Sequence, residues 1–364
     1  MRLLLVFLTL LNLSFAQDSV KEPFLLSIKG RSGFLAAHHG TLGHLSKERI
    51  FGAELSLSTR LTGSKNWHQA YKNPIVGITL LATSVGNQAI LGNSFGALGF
   101  IDFPMSRSEK HFLSAKLSLG LGYISKVYNP QTNPKDVAIS SHFNAMLCLG
   151  IQGRWYWNEK NALLYSFDLT HLSNGSFSIP NLGLNMPNVG IGYERQIGSK
   201  NVQKVQPRFI EKTSFFRNWK LTSIGILSGK EIFPSGGKRY PVYAISQMLH
   251  KQFRPKVAME LAFDVISKQA LFGYRSYIPK TQWSVLQIGT YAGFALPLNK
   301  LRIVLGMGVY LKDRYDMDNE LYHRVGIRYQ CNNGLLFNVV LKSHWAKADY
   351  TEWGIGYTFK TTKK

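Results

Sequence analysis

Cysteine is nearly absent from this chain. Its two residues, Cys148 and Cys331, lie far apart, each inside a probable strand, so a disulfide framework is excluded and both read as packing residues. Charge is also scarce, at 17% of 364 residues, and one-sided: 20 acidic against 43 basic side chains give a formal net charge of +23. After the amino terminus no continuous apolar stretch approaches the length of a membrane helix, which excludes a helical membrane domain. A basic balance this strong favours anionic partners. For an exported chain these are lipid phosphates rather than nucleic acid, although basic loops alone also account for the excess.

The opening MRLLLVFLTLLNLSFAQ combines Arg2, an apolar run from Leu3 and small residues at Ser14 and Ala16. This is a secretory signal peptide over residues 1–16, cleaved after Ala16. The next residue, Gln17, is no cysteine, so a lipoprotein anchor is not implied. The apolar run is too short for a stable membrane helix. Aromatics at 13% and 33 glycines, spread over short alternating segments of an exported chain, fit an outer-membrane β-barrel.

From Phe24 onward, segments of roughly ten residues alternate with period two, the length and pattern of a tilted membrane strand. Leu113, Ala115, Leu117, Leu119, Leu121 and Tyr123 alternate with Ser114, Lys116, Ser118, Gly120 and Gly122; Trp353, Ile355 and Tyr357 alternate with Glu352, Gly354 and Gly356. Residues 17–364 are expected to form an all-β fold, a transmembrane antiparallel β-barrel of about 14–16 strands, an even number as bacterial barrels require. The unbroken strand pattern and a single carboxyl-terminal aromatic strand favour one wide barrel over two small ones. Residues 198–217 are too long for a periplasmic turn and read as a plug, an inward excursion or a module boundary. The lumen-facing Glu54, Arg60, Lys116, Glu260, Asp264, Arg302 and Arg328 suit a polar pore or a closed network of ion pairs. The network is favoured, because an enzyme acting on its outer wall needs rigidity there.

Chemistry concentrates in residues 161–194. Leu163, Tyr165, Phe167 and Leu169 share one strand face with His171 and Ser173. If that face meets lipid, two polar groups point outward near the extracellular end, where polar residues are costly. Residues two apart lie roughly 6.5–7 Å apart on one face, within reach for an imidazole to take a proton from a serine hydroxyl, the pairing acyl transfer needs. Asn185, on the outward parity of the returning strand, is placed to orient the imidazole. The Asn174 amide and the Gly175 N–H are natural oxyanion donors. A structural histidine with polar turn residues capping a strand is the plainer reading. Elsewhere, Gly92-Asn93-Ser94-Phe95-Gly96 matches a nucleophile elbow but leads into a strand-like segment instead of the required helix. His38, His39 and His44 lack a recognised ligand spacing and read as solvated loop histidines.

The segments THLSNG (170–175) and PNLGLN (180–185) resemble the active-site region of PagL-type lipid A deacylases, the outer-membrane acyloxyacyl hydrolases. That resemblance, concentrated in residues 24–197, implies a carboxylic-ester hydrolase of lipid A with His171 as base, Ser173 as nucleophile and Asn174 as an oxyanion contributor, with no cofactor or metal. The position usually Glu in that family falls on Asn185. Outer-membrane phospholipase A is similar in its THxSNG segment and uses Asn there, but residues 175–187 offer no acidic residue for the calcium it needs, and the Pro180-Asn181-Leu182-Gly183 pattern favours the deacylase. A non-enzymatic basic porin or uptake channel is the remaining alternative. The partners implied are lipopolysaccharide, through lipid A, and outer-membrane lipids, with Lys126, Lys135, Lys230, Lys238, Arg239 and Lys280 beside the phosphates; nucleic acid is not implied and a homodimer is left open.

Overall fold

The computed structural model describes residues 23–63, 65–198, 218–274, 277–315, 320–345 and 347–359; the signal peptide expected over 1–16 lies outside them. Among the described residues sixteen strands close as two antiparallel barrels of eight. The first comprises β1 (Phe24–Phe34), β2 (Arg49–Arg60), β3 (Ile75–Ser84), β4 (Asn93–Arg107), β5 (His111–Ile124), β6 (Phe143–Asn158), β7 (Asn161–Ser173) and β8 (Leu184–Ile197). The second comprises β9 (Lys220–Glu231), β10 (Arg239–Arg254), β11 (Val257–Lys268), β12 (Leu286–Leu298), β13 (Leu301–Lys312), β14 (Leu321–Gln330), β15 (Leu335–His344) and β16 (Lys347–Thr358). By contact the chain divides into Met1–Asn174 with Pro180–Pro207, and Gly175–Ile179 with Arg208–Lys364.

The expectation of one wide barrel over 17–364 is therefore corrected. β1 pairs with β8, from Phe24↔Ile197 to Gly33↔Asn188, and β9 pairs with β16, from Leu227↔Trp353 to Thr222↔Thr358. Period-two alternation and hairpin connections are identical in one barrel of sixteen and two of eight. What differs is only which strand the first one meets. The long interval 198–217 lies between the two closures in sequence, and its residues 199–217 fall outside the described ones.

In the first barrel, outward positions are apolar and exposed: Phe51 63%, Phe167 60% and Ile191 64%. A contiguous band of this kind is a lipid-facing surface, since a monomeric protein in water rarely exposes large apolar patches. Trp155 and Trp157 stand exposed at the end of β6, where an interfacial girdle is expected. The second barrel shows the same outward pattern at Leu227, Ile245, Leu305, Trp353 and Ile355. Among the described residues no helix is long and apolar enough to cross a membrane.

Eight strands leave an interior just wide enough for side chains to fill, so inward charges meet each other. Glu54 pairs with Lys29 at 3.1 Å and Lys116 at 2.7 Å, and Arg154 with Asp102 at 2.8 Å and Glu194 at 2.9 Å. Arg31 pairs with Asp168. In the second barrel Arg324 bridges Asp264 at 2.7 Å and Glu352 at 2.8 Å, while Arg328 and Arg302 meet Glu260. This is the closed network rather than the pore. Removing one partner would strand the others without water, at about 3–5 kcal/mol. Lys230 belongs to this interior as well: it is buried on β9 and paired with Asp349, so the expectation that it meets lipid phosphates from a surface loop is corrected.

One end of the first barrel is sealed by apolar side chains from three loops. Leu42 and Leu45 from residues 35–48, Leu91 from 85–92, and Ala138 and Ile139 from 125–142 pack with Leu172, Leu184 and Met186 of β7 and β8. The 125–142 loop is braced internally by Asp136, whose Oδ1 accepts the N–H groups of Ala138 at 3.1 Å and Ile139 at 3.2 Å. Burial pushes that carboxyl up to about 7, against the opposing pull of those two bonds.

Candidate active site

β7 begins at the closed turn after Asn158 and runs outward to Ser173. Its inward residues Leu164, Asp168, Thr170 and Leu172 are buried, while Tyr165, Phe167 and Leu169 are exposed. His171 and Ser173 share the outward parity and are half-buried. Asp168 and Thr170 on the inner face are tied to Arg31, with Thr170 Oγ1 accepting at 2.9 Å. Leu172 behind the site is locked in the apolar seal. The outer face of this strand end is thus carried on a rigid inner one, as precise placement of reacting groups requires.

Register does the next step. His171 of β7 faces Asn185 of β8 directly, and opposed residues on one sheet face have side chains within contact range. His171 Nδ1 lies 2.6 Å from Asn185 Oδ1. A carbonyl oxygen can only accept, so the imidazole proton sits on Nδ1, and Nε2 carries the lone pair. That lone pair belongs to the ring on the face His171 shares with Ser173.

The loop between β7 and β8 supplies the remaining groups. Asn181 Nδ2 donates to Ser173 Oγ at 2.9 Å, and Asn181 Oδ1 accepts the Asn174 backbone N–H at 3.1 Å. The Asn174 side-chain amide donates to Ser141 Oγ at 2.9 Å. Gly175 follows with φ +66°, in the left-handed region that suits glycine. Gly183 makes room for the imidazole of His171: it has φ +79°, and a Cβ there would lie 2.9 Å from His171 Cε1. Its N–H donates to Ala138 O at 3.0 Å, tying this loop to the 125–142 loop.

The structure thus brings His171 and Asn185 together, and Ser173 with Asn174 through Asn181; Gly175 is adjacent along the chain. Two residues were not assigned a role from sequence. Asn181 stood only inside a loop pattern, and its signal was a second amide side chain eight residues after the serine. His38 read as a solvated loop histidine, and it is exposed in a loop; unread from the sequence are its partners, with Nδ1 3.1 Å from Asn185 Nδ2 and Nε2 3.0 Å from Leu182 O. Sequence patterns carry no signal for a contact between residues 147 apart. At the other sequence motif, Gly92–Gly96, β4 begins at Asn93 and no helix follows, so it is no nucleophile elbow.

Among known proteins, a family model described as lipid A 3-O-deacylase (PagL) matches residues 51–194. A second, described as acyloxyacyl hydrolase, C-terminal domain, matches residues 217–361. The likeness read from the first eight strands alone therefore extends to the second barrel. No curated protein matches the chain. Of solved structures, the KdgM porin in complex with disordered oligogalacturonate is 7% identical, over 92% of this chain and 99% of that one, with a TM-score of 0.18. The TodX monoaromatic hydrocarbon channel is 11% identical, over 96% and 92%, at 0.20, and CdiB from Acinetobacter baumannii 12% identical, over 94% and 61%, at 0.18. Nothing about function follows from likenesses of that size. The two family matches span most of the chain and divide where the two barrels divide: the chain belongs to the lipid A 3-O-deacylase (PagL) family and is an enzyme of the acyloxyacyl hydrolase type.

Proposed function

We propose that the protein, exported to the outer membrane through a cleaved signal peptide, removes the 3-O-linked acyl chain from lipid A of lipopolysaccharide at the outer wall of its first barrel. The observation that carries this is the hydrogen bond of 2.6 Å between His171 and Asn185 on the face that also bears Ser173. Ser173 Oγ attacks the ester carbonyl as its proton passes to His171 Nε2. The resulting oxyanion is received by the second hydrogen of the Asn174 side-chain amide, whose other one is given to Ser141 Oγ, and by the Gly175 N–H, joined by Asn181 Nδ2, which already donates to Ser173 Oγ. The tetrahedral intermediate expels the sugar oxygen, which takes the proton from His171. Water, deprotonated by His171 in turn, cleaves the acyl-serine and releases the fatty acid.

An outward-facing site suits a substrate that never leaves the bilayer, because its acyl chains lie against the apolar band while the ester sits at headgroup level. Lys126 and Lys135, exposed in the 125–142 loop at the same end of the barrel, offer cations for lipid A phosphates, each worth about 1 kcal/mol near an anionic surface. The full chain in detergent micelles, given lipopolysaccharide or phospholipid vesicles in separate reactions, tests the reading. Fatty acid released from lipopolysaccharide and abolished by Ser173→Ala supports it. Release from phospholipid alone assigns the phospholipase chemistry instead, and release from neither overturns the proposed reaction at this site.

A further inference from the structure

Replacing a carboxylate by an amide beside the base creates a problem that a carboxylate does not have. Both oxygens of a carboxylate accept, so either orientation holds an imidazole with its proton on Nδ1. An amide has one accepting and one donating end. If Asn185 turned over, its NH2 would point at His171 Nδ1, the proton would move to Nε2, and the base would be lost. Something must fix which way the amide faces.

The structure assigns that task to His38, as a positioning residue that acts through Asn185 and rests on the reading of the site above. The argument starts from Leu182 O, a backbone carbonyl that can only accept. It lies 3.0 Å from His38 Nε2, so Nε2 carries the proton and the neutral ring presents a lone pair at Nδ1. Asn185 Nδ2 stands 3.1 Å from that lone pair and donates to it. Asn185 Oδ1 is thereby turned to His171 Nδ1 at 2.6 Å. Among the described residues the carbonyl of Ala36 competes for Nδ1, at 3.4 Å, and it is farther than Leu182 O is from Nε2. The polarity of a fixed backbone carbonyl is thus passed through two side chains to the base, with no formal charge in the chain.

The placement of His38 is itself fixed. Two residues earlier, the Ala36 N–H donates to Asn185 O at 2.8 Å, and Leu35 is buried in the apolar seal. Leu182 packs against the same seal. His38 itself is exposed, so exchanging its ring removes the hydrogen bonds without opening a cavity.

The test is a double-mutant cycle on the full chain in micelles, with kcat and KM measured for acyl release from lipopolysaccharide. His38→Phe lowers kcat about tenfold, equivalent to about 1.4 kcal/mol, with KM unchanged. His38→Asn, whose amide oxygen reaches the Nδ1 position, recovers most of that loss. In an Asn185→Glu background there is no amide to orient, and His38→Phe changes kcat by less than about threefold. Equal losses in the two backgrounds, or an unchanged kcat in His38→Phe, overturn the assignment while activity still depends on Ser173. Activity that survives Ser173→Ala overturns the reading of the site and the assignment with it.

Discussion

Gly183 offers a direct test of how tightly the base is held. With φ +79°, it occupies backbone space that costs an L-residue about 1–2 kcal/mol. An alanine Cβ would stand 2.9 Å from His171 Cε1, 3.2 Å from Leu172 O and 3.6 Å from His171 Nε2. Ordinary contact begins near 3.4 Å, so the imidazole must shift by about 0.5 Å, which disturbs its 2.6 Å contact with Asn185. A displacement of about 1 Å can cost about a hundredfold in rate; half of it corresponds to about tenfold on a logarithmic scale. Gly183→Ala is therefore expected to lower kcat about tenfold and to lower stability by about 1–2 kcal/mol. Gly198→Ala separates the two effects. Its φ is +92°, but the nearest atom to a Cβ there is Pro23 Cα at 3.9 Å, so the backbone cost recurs with no push on the base. Kinetics of acyl release, alongside the temperature at which each barrel loses its compact mobility on gels, would read both. Equal kcat in the two variants would refute the claim that Gly183 makes room for His171.

Three further outcomes follow from the same geometry. Asn185→Glu places at position 185 the charge that the resemblance to the deacylases implies there, and on the proposed mechanism it stabilises the imidazolium formed as Ser173 gives up its proton; kcat is expected to rise by up to about tenfold, and complete loss would count against matching Asn185 to that position. Asp136 titrates near 7 where an ordinary aspartate titrates near 3.8. Its charged form is the disfavoured one in the fold, so stability is fully present below about 3.8 and is lost as the pH rises through about 7, by at most about 4 kcal/mol. Asp136→Asn keeps the acceptor for Ala138 and Ile139, and should raise the unfolding temperature at pH 8.5 and lose that advantage at pH 4; a pH-independent effect would contradict the assignment. Glu54→Gln leaves Lys29, Lys116 and Arg31 around a neutral group and should destabilise the first barrel by about 3–5 kcal/mol, read as a lower unfolding temperature, while an unchanged temperature would show the network to be idle.

Much of this arrangement was legible in the residues. Alternation at Leu163, Tyr165, Phe167 and Leu169 carries the outward parity to His171 and Ser173, because a strand admits only two faces. The same rule puts Asn185 on that face with Val189 and Ile191. The sixteen strand segments were legible for the same reason. Closure was not, since Phe24 opposite Ile197 is a pairing of distant residues that neither periodicity nor turn chemistry encodes. Lys230 looked like a loop cation because it sits at a strand end, and only the inward partner Asp349 reveals its burial. His38 was hidden by distance along the chain, and Asn181 by the look of an ordinary Pro-Asn turn.

The central claim is that Ser173 on the outer wall deacylates lipid A. Mass spectrometry of lipid A from Gram-negative cells expressing the full chain addresses it most directly. The account predicts a species lighter by one ester-linked acyl chain, lost from the 3-O position, and its absence in cells expressing Ser173→Ala at equal outer-membrane abundance. Lipid A of identical mass in wild-type and Ser173→Ala cells, with the barrels folded in both, would contradict it.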